Sequence, residues 1–586
     1  MAMFITQETF DEVVKENMED FGMDRESAAE DAVGQFQAQG ADLSRVDTST
    51  DDIRKDARAT ITGHVEKLRG VDAGIRSEGE GGPDGECLQT LASLAELCRE
   101  PGDVGKANRM AVGEAGGVGV IARFLDGSPD DLSTGSVVLA TLSTLHDICR
   151  NSERNRDAFI FTNMDQLTSL LLRWTSALEF ADGSSGSSSS VSGSGTGRGA
   201  AVNVDVGGGG EYGGAGGENG PAGDAAVADG ADAAPTMLIA AEDQARLVAA
   251  GLKVVKIVCT KAENNKGSFM RRKGALILVA SLRRYGAGDG KDASVTNEVC
   301  GALRSVTLGD DRRKDFSGTY DNVKSLVAAG AIPLLLDAAR AFEGDSLTLS
   351  AVYLALKQLA ANDDSVKLIV EHGGLDLVSG AVVNFPLDVL VCRTALSLFR
   401  NISANDALKT RLVQEGGLRL VLGCMSEHKD DQTLQEHGCA TMAAMALRSP
   451  SNGARIVQEG GTTAVLQAMR RHPTVQPLQR QACLCIRNIA ARGPSLRPSL
   501  LDDGCEAALR EAGKLRGCVD EAYGALRDLD CEVGLVTMGE GGKVKVGVKA
   551  FGEEKANFNP SLQETKGLDE RIEGHATAPV HAGYQL

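Results

Sequence analysis

Aromatic side chains are scarce in this chain. They make up 4% of its 586 residues, and Trp174 is the single tryptophan, so any core must be filled by Leu, Val, Ile, Ala and Met, the usual stuffing of packed helices. No uninterrupted apolar run approaches the roughly 18 residues that a membrane-spanning helix needs. The opening "MAMFITQETFDEVVKEN" is acidic and lacks a basic stretch followed by an apolar one, so no secretory signal is expected. The 13 cysteines include no CxxC pair. The closest two, Cys483 and Cys485, would point about 200° apart on a helix. Cys98, Cys149, Cys259, Cys300, Cys392 and Cys439 all sit among apolar helical residues. Buried free thiols in a reducing compartment are therefore expected, rather than disulfides or zinc. Positive charge is also in deficit: 61 Lys and Arg against 81 Asp and Glu give a net charge of -20. That balance repels phosphate backbones and disfavours nucleic acid as principal partner. A cytoplasmic or nuclear location follows, and composition does not separate the two.

What the chain has in quantity is repetition. "VQEGGLRLVL" from Val413 returns as "VQEGGTTAVL" from Val457. The series runs through Gly330, Gly373, Gly416, Gly460 and Gly504, in steps of 43, 43, 44 and 44 residues. A fixed period in the forties held over five copies marks a solenoid. Within one period, "NDALKTRLVQEGG" reads as a short helix capped by Asp406, with Leu408, Leu412 and Val413 on one face. The glycine pair supplies the positive φ that ends it. "LRLVLGCMSEH" and "DQTLQEHGCATMAAMALRS" follow as second and third helices, the latter with Cys439, Met442, Met445 and Ala446 on its apolar side. Three helices per unit describe an all-α armadillo-type right-handed superhelix; two-helix HEAT repeats are the alternative. Upstream, Gly274, Gly116 and Met164 take the turn position. The 56-residue step from Gly274 to Gly330 requires an insertion, placed in Gly286–Ala293 or Gly309–Asn322.

Between Asp182 and Pro235 runs a Gly/Ser/Ala tract with too little apolar content to offset its chain entropy. It reads as a disordered insertion within the array. The expected organisation is an N-terminal helical extension (1–45), a helical linker and first armadillo-like repeats (46–181), the insertion (182–236), further armadillo repeats (237–531) and a flexible tail (532–586). In the extension, Thr6 caps a helix bearing Phe10, Val14 and Phe21, and Asp24 caps one bearing Ala28, Ala32, Val33 and Phe36. Asp51 to about Arg69 reads as another helix. In the tail, "VGLVTMGEGGKVKVGVKAF" alternates like a hairpin.

The words "ITQETFDEVVKENMEDFGM", "AVGQFQAQGADLS" and "ALRDLDCEV", together with the EGG-turn array, resemble the armadillo repeat-containing protein 6 family. The resemblance is tight over the first forty residues, looser through Val533, and does not include the Gly/Ser tract or the chain after about Met538. It implies an intracellular helical-repeat protein with no established activity or cofactor.

No motif carries catalysis. "GGGEYG" lies inside the Gly/Ser tract with no strand before it, and "YGAGDGKDAS" puts Tyr285 and Asp292 where a phosphate loop needs Gly and Ser or Thr. His146 with Cys149, and Cys424 with His428, offer two metal ligands each, too few for a tetrahedral site. Neither pair has an evident orienting carboxylate or oxyanion hole. No enzyme and no cofactor are expected. Two third helices end alike, in "LFRNIS" and "CIRNIA". The amides of Asn401 and Asn488 can serve a guest peptide backbone as donor and acceptor, beside Arg400 and Arg487; alternatively they tie down the loop that follows. The tryptophan–asparagine ladder of nuclear-import adaptors is absent. Residues 253–314 hold 14 Lys and Arg against 6 Asp and Glu. There Arg271, Arg272, Lys273, Arg283 and Arg284 form a candidate patch for an acidic partner, or else merely solvated charge. The expected function is a scaffold or adaptor holding a protein segment on the concave face. The alternative is a transport or chaperone-like adaptor docking a partner through the N-terminal helices.

Overall fold

In the computed structural model the described residues are 3–21, 25–38, 41–42, 52–72, 82–126, 132–159, 163–175, 241–314, 317–538 and 544–549. The tract singled out from the sequence falls in residues 176–240, outside them. The array is an armadillo solenoid built from three-helix units. In one unit the helix Asp406–Gln414 turns at Gly416 into Gly417–Glu427, and Gln432–Ala446 follows. Units on either side repeat this as Asp363–Glu371, Gly374–Asn384 and Val389–Ile402, and as Pro450–Gln458, Gly461–Arg471 and Gln476–Arg492.

The two glycines of the EGG corner serve different physical needs. Gly416 has φ 94° and its Cβ position is open space, so it is required for conformation. Gly417 is already helical, and a Cβ there would stand 2.8 Å from the Leu412 carbonyl oxygen. Gly374 and Gly461 repeat this crowding against Ile369 and Ile456. The capping residue of the short helix is Asn405, not Asp406: its Oδ1 accepts from the amides of Ala407 and Leu408, both at 3.1 Å. Asp406 instead pairs with Lys409 at 2.7 Å.

Two upstream turns differ from the expectation. Lys273, with φ 64°, holds the left-handed position, and Gly274 is the first residue of the helix Gly274–Tyr285. Met164 lies inside the helix Asn163–Trp174, fully buried, so it is core rather than corner. The extra length before Gly330 falls mainly in residues 308–318, eleven between helices where 360–362 suffices one period on. This loop folds back on the array. The ammonium of Lys266, fully buried, donates to Asp310 at 2.5 Å, to Glu263 at 2.7 Å and to the Leu308 carbonyl.

The third helices stack in one continuous row. Among the described residues these are Gly82–Arg99, Leu132–Cys149, Ala241–Cys259, Ala293–Thr307, Ser346–Leu359, Val389–Ile402, Gln432–Ala446, Gln476–Arg492 and Val519–Asp528, each packed on the next. Leu132–Cys149 rests directly on Ala241–Cys259, so the solenoid is unbroken across residues 176–240. Among the bonds that span the junction are Gln244 Nε2 to the Trp174 carbonyl and Asn265 Nδ2 to the Arg156 carbonyl, both 2.7 Å. One apolar core runs from Ile61 to Val533. The helix Asp52–Asp72 belongs to it through Ile61, Val65 and Leu68.

Helices Gln7–Phe21 and Arg25–Ala38 form a separate small core of Ile5, Phe10, Val14, Ala28, Ala32 and Phe36. Thr6 Oγ1 caps the first by accepting from the Thr9 amide at 3.3 Å. Asp24 and the Phe21 side chain lie outside the described set. A two-residue parallel pair, Met3–Phe4 with Ala41–Asp42, closes this unit and has no counterpart in the sequence reading. After the last helix, Val533–Met538 pairs antiparallel with Val544–Lys549, as the alternation of Val and Lys predicts.

Candidate binding face

The third-helix row presents a face with a consistent grain. Exposed leucines stand in the first turns of successive helices: Leu347 is 62% and Leu390 38% exposed. Small side chains follow midway, with Ala351 partly exposed and Ser397 and Ala440 buried at the floor. The last turns carry Arg304, Lys357 and Arg400, all half-buried at equivalent positions of consecutive units. Arg400 and Asn401 end one third helix; Arg487 and Asn488 end another, with Gln432–Ala446 lying between.

Both asparagine amides reach across to the preceding unit. Asn401 Nδ2 donates to the carbonyls of Lys357 at 3.1 Å and Ala360 at 3.3 Å, and Asn488 Nδ2 to that of Ala443 at 2.9 Å. These acceptors lie in the last turns or C-caps of their helices, and that of Ala443 also accepts from the Leu447 amide at 3.1 Å. The amides therefore staple neighbouring third helices together, a role distinct both from guest binding and from tying down their own following loop. Arg487 pairs with Asp528 at 3.2 Å. Arg400 lies near Glu436, whose carboxyl is pushed up by burial and drawn part of the way back by Arg400 and Lys357.

The second group of sequence candidates lies elsewhere in the units. Arg271 ends a first helix, Arg272 and Lys273 form the corner, and Arg283 and Arg284 end a second helix. Arg272 is ion-paired with Asp165, holding that carboxyl below its ordinary range. Arg284 donates to Gln244 Oε1 at 2.6 Å and lies over the Tyr285 ring at 5.4 Å. Arg313, from the same basic stretch, is taken up by Asp157 at 2.7 Å and Asp311 at 2.8 Å. The structure thus divides the basic stretch. Part of it knits helices together, and one member that sequence reasoning did not single out, Arg304, joins the third-helix face. The signal that finds it is register: "ALRS" aligns with "ALKQ" and "LFRN".

One thiol cluster is closer than the sequence suggested. Cys392 joins the Cys424–His428 pair; hydrogen bonding to Cys424 and then His428 holds the Cys392 thiol down at about 7, while Cys424 is pushed up. Cys392 is 0% exposed, and its sulfur faces the Pro386 carbonyl at 3.5 Å, so no substrate reaches it. Twelve of the thirteen cysteines are buried and free, with Cys531 partly exposed. Among the described residues no group of three or more His, Cys, Asp and Glu is arranged to hold a metal, and no single helix is long and apolar enough to cross a membrane.

A family model described as ARMC6 matches residues 224–546, and one described as the Armadillo repeat-containing protein 6 N-terminal domain matches residues 2–61. The chain belongs to the armadillo repeat-containing protein 6 family. Members from Pongo abelii and Homo sapiens are each 27% identical over 364 residues, covering 61% of this chain and 55% of theirs. A Drosophila melanogaster homolog is 30% identical over 126 residues, 22% of this chain and 25% of that one. The match thus spans about half the length of the curated relatives. Among solved structures, an engineered protein aligns with TM-score 0.38 and 20% identity over 43% of this chain and 98% of its own. A chain from work on a phosphorylation switch in the interaction between cadherin and beta-catenin aligns with TM-score 0.44 and 11% identity, covering 75% and 69%. Within the armadillo repeat-containing protein 6 family, then, this member's N-terminal match covers the small core and ends at Ile61, inside the first helix of the large one.

Proposed function

We propose that this chain is a non-enzymatic interaction scaffold that holds a protein segment across its third helices. The observation that carries the reading is the graded face itself, with exposed Leu347 and Leu390 at one edge, small residues midway and half-buried cations at the other. A preformed surface of this kind leaves most of the ordering cost to the guest. The armadillo family membership is in keeping with it.

A photo-crosslinking residue placed at Leu347, 62% exposed on a third helix, in cells of the native source, should capture protein. The same residue at Arg419, 75% exposed on a second helix, should capture much less. Equal or greater capture through Arg419 counts against the scaffold face. The self-contained core at residues 5–36 favours a second reading, in which the N-terminal helices dock a partner for transport or chaperoning. Deleting residues 1–45 separates the two: partners lost with the deletion belong to the helices, and partners that persist belong to the face. An acidic partner for Arg271, Arg272, Lys273, Arg283 and Arg284 requires that charge reversal at Arg271 and Lys273 change the captured set.

A further inference from the structure

Five cations of the third helices, Arg99 among them, are matched by a carboxylate from the adjoining unit. Lys256 meets Glu298 at 3.2 Å, Arg393 donates to Asp431 at 2.9 Å, Arg480 meets Glu521 at 2.7 Å and Arg487 meets Asp528 at 3.2 Å. Arg304, Lys357 and Arg400 differ: all three are half-buried, and among the described residues none has a carboxylate within ion-pair distance, whereas Lys253 and Arg492, also without one, are exposed. The three half-buried cations occupy the same place in three consecutive units, on helices packed side by side. The Nε of Arg304 is sealed from solvent without a hydrogen-bond partner. Burial first, then the charges of Arg304 and Arg400, hold the Lys357 ammonium below the ordinary lysine range. One unit further on, Ala443 and Ala444 stand in their place and the row ends.

Three crowded, half-desolvated positive charges are costly to hold, and Glu436, near Lys357 and Arg400, offsets them only in part. We infer that Arg304, Lys357 and Arg400 form a three-rung binding site for an extended acidic segment of a partner protein, whose carboxylates recur every third residue. The spacing comes from geometry. Neighbouring packed helices lie about 8–10 Å apart. A polyproline-II segment rises about 3.1 Å per residue with three residues per turn, so every third side chain returns to the same side after about 9 Å. A β-strand guest would send positions i and i+3 to opposite faces. The apolar edge at Leu347 and Leu390 takes the intervening side chains. The inference rests on the third helices being the binding face. A nucleic-acid strand fits less well, because Glu436 abuts the Arg400 end of the row and the whole chain is acidic.

The test uses the full chain and fluorescence anisotropy with a labelled peptide of four Glu-Pro-Ala repeats, set against a peptide of the same composition with contiguous glutamates. The spaced peptide should bind at least tenfold more tightly. Lys357→Glu should weaken it at least tenfold, whereas Arg419→Glu, off the row, should change it less than twofold. Lys357→Met provides a readout that a structural lysine does not give. Removing the crowded charge should raise the thermal midpoint while lowering peptide affinity at least threefold. Equal binding of the two peptides, indifference to Lys357→Glu, or displacement of the peptide by an oligoribonucleotide at lower concentration than by unlabelled peptide overturns the site. Capture through Leu347 that persists undiminished in Lys357→Glu also refutes the acid-reading row, yet leaves the scaffold face standing.

Discussion

The EGG corner invites a quantitative dissection, because its two glycines are needed for unrelated reasons. Replacing Gly416 by Ala forces an L-residue to φ 94° in otherwise open space. A left-handed residue costs roughly 1–2 kcal/mol, offset by about 0.4–1 kcal/mol of lost unfolded-state freedom, for a net cost near ~1 kcal/mol. Gly417→Ala is a packing insult: the new Cβ meets the Leu412 carbonyl oxygen at 2.8 Å and the Leu412 side chain. Overpacking costs roughly 1–3 kcal/mol. The low half of that range applies here, because Ala331 and Cys505 already carry a Cβ at the matching place and remain buried. A cycle with Leu412→Ala separates the mechanisms. Shortening Leu412 should relieve a good part of the Gly417→Ala penalty and none of the Gly416→Ala penalty. A repeat array does not unfold as one two-state unit, so the readout is native-state hydrogen exchange of the helix Gly417–Glu427. A neutral Gly417→Ala, or coupling of Leu412 to position 416 rather than 417, would falsify the division of labour.

Further outcomes follow from the buried charges and thiols. Lys266→Met strands Glu263 and Asp310 around the vacated ammonium site; it should cost roughly 3–5 kcal/mol, read as lost protection of Glu263–Arg271 and faster proteolysis at 308–318. His437 is held down at about 4, chiefly by burial and then by Lys357, Arg400 and Arg393, against the pull of its bond to the Arg393 carbonyl. The unfolded chain therefore binds more protons between about 4 and 6.5, so this contribution to stability is fully present above pH 6.5 and is lost as pH falls toward 4. His437→Gln should flatten that part of a pH–stability curve for Gln432–Ala446, and an unchanged slope refutes it. Native alkylation followed by peptide mapping should label Cys531 first. Cys392 should stay unlabelled despite its lowered pKa, and early labelling there would show that its burial is not maintained.

The unit length and its corners were legible because both depend on local rules: a left-handed glycine and a helical apolar period leave their mark in the sequence. Where the rule is not unique to one residue type, the reading slipped. Lys273 adopts the left-handed turn that Gly274 was expected to supply, and Met164 turned out to be core. The hairpin from Val533 was legible through alternation, whereas Met3–Phe4 with Ala41–Asp42 is too short to leave a pattern. The binding face was only half visible. Arg400 and Asn401 stood out by matching Arg487 and Asn488, but which cations are neutralised depends on carboxylates roughly forty residues away on adjoining helices. Pairings such as Arg393 with Asp431 and Arg487 with Asp528 left Arg304, Lys357 and Arg400 as the half-buried remainder, and no spacing rule lists a remainder.

The seating of Leu132–Cys149 on Ala241–Cys259 separates covalent from mechanical continuity. Around that seating the two sides are joined by further contacts, Leu171 against Gly251 and the bonds of Gln244 and Asn265 to the carbonyls of Trp174 and Arg156. The protein can thus be regarded as two half-solenoids spliced by an interface that survives without its linker. Cleaved once within 176–240, the halves should co-purify as a fragment pair, and genes encoding them separately should complement each other.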